Sequence, residues 1–202
     1  MWSRRQFPAI AALAVMFVLP RVSAARAAEP REFVRDVGDQ LVNVINGPGG
    51  FAEKRAQLQR IVDRAVDVDG IARFCLGRFW RLATPQQQQD YVALFHQVLL
   101  NSIAGHLGEY KGVHYVLGRT TPHDDLTWVS TTISRPNNPD ADVEWVISMT
   151  GGSPKIEDLV VEGVSLRLTQ RSDYASYLQH NGNSVQALLD AMRRMLANQK
   201  QG

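Results

Sequence analysis

The stretch Asp142-Val143-Glu144-Trp145-Val146-Ile147-Ser148-Met149 reads as a β-strand with one buried face. Val143, Trp145, Ile147 and Met149 alternate with Asp142, Glu144 and Ser148, and a strand sends alternate side chains to opposite faces. Turn formers bracket it: Arg135-Pro136-Asn137-Asn138-Pro139-Asp140 before, Gly151-Gly152-Ser153-Pro154 after. Outward from it, residues 126–133, rich in Thr, Val and Trp, make the preceding strand, and residues 113–117 an earlier one. Residues 156–161 make the strand that follows. Four strands with short connections predict an antiparallel meander.

On either side the apolar period lengthens to that of a helix. Over residues 32–45, Val34, Val37, Leu41, Val44 and Ile45 recur at spacings of three and four, until Asn46-Gly47-Pro48-Gly49-Gly50 stops the run. Residues 51–65 repeat the pattern with Leu58, Ile61, Val62 and Ala65. Asp67 or Asp69 caps a short third helix that Gly77 breaks, with Phe79, Trp80 and Leu82 as an aromatic and apolar knot behind it. Thr84, Pro85 and Gln87 form a capping box with proline at the first helical position. That helix is expected to run to Leu107. Two more follow the strands, over about 172–180 and 184–197. The fold class is therefore α+β, a four-stranded antiparallel sheet packed against a layer of about six to seven helices. Such a layer pair can separate slightly and leave an apolar cavity between sheet and helices.

The first 28 residues read as an address. Arg4 and Arg5 precede an apolar stretch, residues 8–19, and Ala25-Arg26-Ala27 offers the best cleavage site, with Ser23-Ala24-Ala25 the other. The apolar stretch is shorter than the roughly 20 residues a membrane-spanning helix needs. Ser3-Arg4-Arg5-Gln6-Phe7 fits a twin-arginine signal, and an ordinary secretory signal carrying two arginines reads equally well. Residues 29–202 then make one domain in an exported protein, large enough for a sizeable core. The whole chain carries +2, but four of its 22 basic residues lie in the leader, leaving 18 against 20 acidic. No cluster of basic residues points to nucleic acid.

No catalytic set emerges from the sequence. The five histidines, His96, His106, His114, His123 and His180, make no metal-ligand spacing. Cys75, the single cysteine, sits among apolar residues and reads as a buried, inert thiol. Ser165 stands in Gly163-Val164-Ser165-Leu166-Arg167, which lacks the last glycine of a nucleophile elbow, and reads as a local hydrogen-bonding serine. Asp124-Asp125 and Asp140/Asp142 read as solvated charges. No metal and no cofactor is expected.

Two segments carry a family likeness. One is Phe74-Cys75-Leu76-Gly77-Arg78-Phe79-Trp80-Arg81-Leu82-Ala83-Thr84-Pro85, followed by Gln89, Tyr91, Leu94 and Phe95. The other is Ile156-Glu157-Asp158-Leu159-Val160-Val161-Glu162-Gly163-Val164-Ser165-Leu166, followed by Arg171, Tyr174, Tyr177 and Leu178. Both resemble the MlaC, or toluene-tolerance, family of periplasmic phospholipid-binding proteins. The likeness covers nearly all of the chain after the leader. Pro154-Lys155 and Thr169-Gln170-Arg171 depart from the residues common in that family at these places.

The resemblance implies a monomeric periplasmic carrier with phospholipid or a related envelope lipid as cargo. It implies exchange between an inner-membrane ABC transporter complex and an outer-membrane lipoprotein complex, and no enzymatic activity. The apolar faces of sheet and helices suggest Val98, Tyr115, Val143, Trp145, Ile147, Val164 and Leu166 as lipid-binding residues. By the same resemblance Glu162 and Arg171 hold the strand–helix corner. Two other readings suit an α+β fold of cystatin or NTF2-like appearance. One is a small-molecule isomerase or dehydratase, which needs an acid or histidine inside the apolar stripes; the other is an envelope adaptor that binds no lipid.

Overall fold

A computed structural model describes residues 22–149 and 152–198, so the leader before Val22 lies outside the described residues. Six α-helices and five strands follow in the order helices, sheet, helices. They are α1 Val22–Asn46, α2 Phe51–Ala65, α3 Val68–Leu76, α4 Pro85–Gly105, β1 His114–His123, β2 Leu126–Ser134, β3 Ala141–Ser148, β4 Lys155–Val161, β5 Val164–Ser165, α5 Leu166–His180 and α6 Val185–Asn198. Short 3-10 turns over Gly77–Arg81 and Leu107–Tyr110 follow α3 and α4.

The sheet is an antiparallel meander in the order β1-β2-β3-β4-β5. It has five strands where periodicity predicts four. The fifth, Val164–Ser165, is too short to show a period, and its cue is the turn. Glu162 and Gly163 both have positive φ, 49° and 78°, as a two-residue hairpin turn requires, and Val161 pairs with Val164 across it. β1 also runs past the expected end at Leu117. A bulge between Leu117 and Thr120 absorbs the interruption at Gly118, and Pro122 is tolerated because β1 is an edge strand.

Helix boundaries shift in instructive places. α1 begins ten residues before the expected Glu32 and passes through Pro30, which costs it one backbone hydrogen bond. The segment it adds is rich in alanine, the strongest helix former. α4 starts on its predicted box, in which Thr84 Oγ1 accepts from Gln87 N and Thr84 N donates to Gln87 Oε1. It ends at Gly105 rather than Leu107. α5 starts at Leu166, about six residues early, because Ser165 is its N-cap and accepts from Leu168 N at 3.1 Å.

Two apolar cores result. One is helical: Ala72, Leu76 and Phe79 pack with Tyr91 and Phe95 of α4, Tyr174 and Leu178 of α5, and Leu188, Leu189 and Met192 of α6. Tyr91 donates to Ala72 O at 3.0 Å, and its ring meets Tyr174 edge-on. The other joins Val34, Val37 and Val44 of α1, with Ile61 and Ala65 of α2, to Val129, Val143, Trp145, Ile147 and Ile156 of the sheet. α2 belongs to both, since Leu58 and Val62 pack in the helical core and Ile61 and Ala65 on the sheet.

Candidate functional site

Where the two cores meet they do not close. A cavity of about 470 Å³ lies between them, within the roughly 300–1,000 Å³ of small-molecule sites. Val37 and Leu41 of α1, and Leu58, Ile61, Val62 and Ala65 of α2, form one wall. Ile71 and Cys75 of α3 with Phe95 and Leu99 of α4 form the other, and Trp145, Ile156 and Leu159 of the sheet close the floor. The depth is apolar, as the helical stripes and the alternating strands dictate.

Trp145 is fixed in place by a polar contact inside the core. Its indole N–H donates to Thr131 Oγ1 at 2.9 Å, and the Thr131 hydroxyl donates to Val143 O at 3.2 Å. Both buried polar groups are thereby satisfied, so the ring is held at one orientation without an orphaned donor.

The mouth lies between α4 and α5. These helices touch through the Tyr91, Phe95 and Tyr174 rings. Farther along, Leu99, Ser102 and Ile103 of α4 face Leu166, Thr169, Gln170 and Asp173 of α5 across open space. Ile103 and Leu166 are 36% and 47% exposed, an apolar lip on each side. The polar edge is built by a bulge in β4. Val146 pairs with Asp158 but Ile147 with Ile156, so Glu157 is the extra residue. Arg167 then reaches both carboxylates, at 3.3 Å to Glu157 and 3.5 Å to Asp158, with its guanidinium 4.6 Å from the Phe74 ring centre. Asp158 is almost fully buried. It accepts from Arg167 N at 3.0 Å and from the Ser165 hydroxyl, tying the start of α5 to the sheet.

The groups on this cavity hold few options for chemistry. Cys75 is 1% exposed, and burial, aided by the charge of Asp158, pushes its thiol from 9.0 to about 12. It is a poor nucleophile at neutral pH, because the thiolate is the reactive form. Burial likewise raises Tyr91 and Tyr174 far above the ordinary phenol range. Among the described residues no group of three or more His, Cys, Asp or Glu is placed to hold a metal ion. No histidine lines the cavity. His96 pairs with Asp63 at 2.8 Å, His106 and His180 contact backbone carbonyls of their own helices, and the His123 ring meets Trp128 at a tilt of 48°.

Of the residues suggested by the sequence, the structure brings Trp145 and Leu166 to the cavity. Leu166 does so as the first residue of α5, not as a residue trailing a strand. Val143 and Ile147 share the sheet-side core with Trp145 but do not reach the space. Val98 packs against the helical core. Tyr115 is turned toward α1 instead: its hydroxyl donates to Asp39 Oδ1 at 2.8 Å, and its ring lies where a Cβ on Gly38 would stand, 2.6 Å away. Val164 is 55% exposed on β5, outside the cavity lining. Glu162 lies in the turn between β4 and β5, and Arg171 in the second turn of α5. Glu162 Oε1 accepts from Asp142 N at 2.6 Å, and Arg171 lies on Phe74 of α3. Sequence reasoning missed the wall from α2, and on α4 it chose Val98 where Phe95, Leu99 and Ile103 line the space. The apolar stripes of both helices were legible, but a stripe does not say whether it meets a neighbour or a void.

The chain is similar to known proteins in sequence and in fold. The family model described as MlaC protein matches residues 35–194. The toluene tolerance protein ttg2D of Pseudomonas putida is 24% identical over 199 residues, 94% of this chain and 91% of that protein. A phospholipid-binding protein from Ralstonia solanacearum, solved in complex with a phospholipid, superposes with a TM-score of 0.73 at 20% identity. The superposition covers 85% of this chain and 99% of that one.

Proposed function

The chain belongs to the MlaC family, and on that premise we propose that it is a periplasmic lipid carrier that shields acyl chains in the cavity between its two cores. The observation that carries this reading is the cavity itself: about 470 Å³, lined mostly by apolar side chains, with its charged groups grouped on β4 and α5, where the buried Asp158 is paired with Arg167. Exposing a chain to water costs about 0.8 kcal/mol per methylene, so a 16-carbon chain costs on the order of 10 kcal/mol unsheathed. The binding of a phospholipid by the superposable Ralstonia protein supports a phospholipid as cargo. The headgroup remains at the mouth, beside Arg167, Gln170 and Thr169, where its polar atoms keep water and hydrogen-bond partners.

The leader in residues 1–28 supports export, with residues 29–202 as the working domain. Among the described residues no helix is long and apolar enough to cross a membrane. The name of the Pseudomonas relative and the family support exchange of lipid between an inner-membrane ABC transporter complex and an outer-membrane complex. Native mass spectrometry of the exported protein tests the carrier reading. Co-purified phospholipid is expected, and loss of it in a folded Trp145→Arg variant. A protein that is empty and moves no lipid between donor and acceptor vesicles would instead be an adaptor. Replacing Arg4 and Arg5 with Lys tests the export route, with undiminished export excluding the twin-arginine pathway.

A further inference from the structure

A second, smaller pocket of about 250 Å³ lies on the other flank of α5, between that helix and the turn that ends α3. Leu166, Thr169, Gln170 and Asp173 face the lipid cavity at spacings of three and four. Arg171, Ala175 and Gln179, four apart, fall on the opposite flank and line this pocket. Arg78 of the 3-10 turn lines its other side. Cys75 is the one residue that borders both spaces, and the α5 residues that line them are separate.

Both arginines are held but unspent. Arg171 lies 4.8 Å from the Phe74 ring centre and Arg78 4.9 Å from that of Phe79. Among the described residues neither has a carboxylate or hydrogen-bond acceptor. Gly77 has φ +57°, and a Cβ there would stand 3.2 Å from Arg171 Nε, so glycine leaves the guanidinium its place. No Asp or Glu occurs from residue 70 to residue 89. Two guanidinium forks, each resting on an aromatic ring and lining one concavity with the Gln179 amide, suit a tetrahedral oxyanion, which takes paired N–H donors. We infer that this pocket is a phosphate-binding site, distinct from the lipid cavity, that takes either a phospholipid headgroup at a membrane surface or a free phosphate.

The test uses the exported, purified protein with two probes, sodium phosphate and vesicles of phosphatidylglycerol in phosphatidylcholine. Nitrogen–proton NMR follows Gly77 and the Arg171 Nε–H, and co-sedimentation follows vesicle binding. At least one probe is expected to shift both signals, and R78Q and R171Q each to weaken that probe by about tenfold. R171K, which keeps charge but loses the fork, falls between. Tighter binding of vesicles identifies a membrane headgroup, and of sodium phosphate a soluble ligand. Binding by neither probe, or binding unchanged in the R78Q/R171Q double variant, overturns the site. Lipid content of the same preparations reports separately on the cavity and is expected to stay at the parent level in R78Q and R171K.

Discussion

The two cores solve the same burial problem differently. In the helical core, the rings of Tyr91 and Phe95 of α4 meet Tyr174 of α5 and Tyr91 finds a backbone acceptor, so the core closes around these three rings. In the sheet-side core, α1 and α2 lie on a twisted surface. Their stripes cover Val129, Val143 and Ile147 but leave Trp145 and Ile156 facing space. α2 is the reason both can exist. Its apolar arc is wide enough that Leu58 and Val62 serve one core while Ile61 and Ala65 serve the other. One helix shared between two cores holds them apart, and the gap becomes a binding site without a separate ligand-binding domain.

If the helical core is the rigid half, damage there should cost the most stability. Phe79→Ala, at a site 2% exposed, is expected to cost about 3–5 kcal/mol in urea unfolding. A loss below 1 kcal/mol would show that the knot is plastic and the contrast false. Thr131→Val probes the cavity floor instead. It removes the acceptor of the Trp145 indole and should cost about 1–3 kcal/mol. Trp145 fluorescence should also change, which an effect on packing elsewhere would not produce.

Leu99→Trp sharpens the contrast by changing function more than stability. The larger ring enters the cavity, so unfolding is expected to change by less than about 1.5 kcal/mol while co-purified lipid falls sharply by mass spectrometry. Full lipid content in that variant would place the cargo elsewhere. The smallest expected effect concerns Cys75, which stands between the cores. Its thiol is raised when folded, so folding favours the neutral form. Its contribution is intact below pH 9 and is lost as pH rises toward about 12. Tyr91 and Tyr174 act with the same sign at higher pH. Stability measured against pH should fall across that window, and less steeply in Cys75→Ala.

How far these features were legible depends on their range. The Thr84 box, the Asp67 cap, the Gly77 stop and the alternation in β3 are local, and each stands where the residues put it. The start of α5 was harder to read, because Ser165 caps the helix only through a turn that is visible once β5 pairs with β4. The β4 bulge left no trace in composition or period. It exists because Val146 and Ile147 pair with residues two apart, and it is what aims Glu157 and Asp158 at Arg167. Tyr115 misled because its strand alternates correctly, yet β1 lies at the edge, where an inward side chain meets α1 rather than the cavity.

The sequence by itself determined the six main helices and four of the five strands, that the sheet is an antiparallel meander, and the family to which the chain belongs. These follow from short-range periodicity, capping and turn chemistry, whose causes lie within a few residues. Only the tertiary structure decided that α2 divides its apolar arc between two cores, that the gap opens between α4 and α5, and that Arg171 faces away from it. Those outcomes depend on helices distant in sequence crossing at particular angles. An apolar stripe is the same sequence whether it ends against a side chain or against empty space.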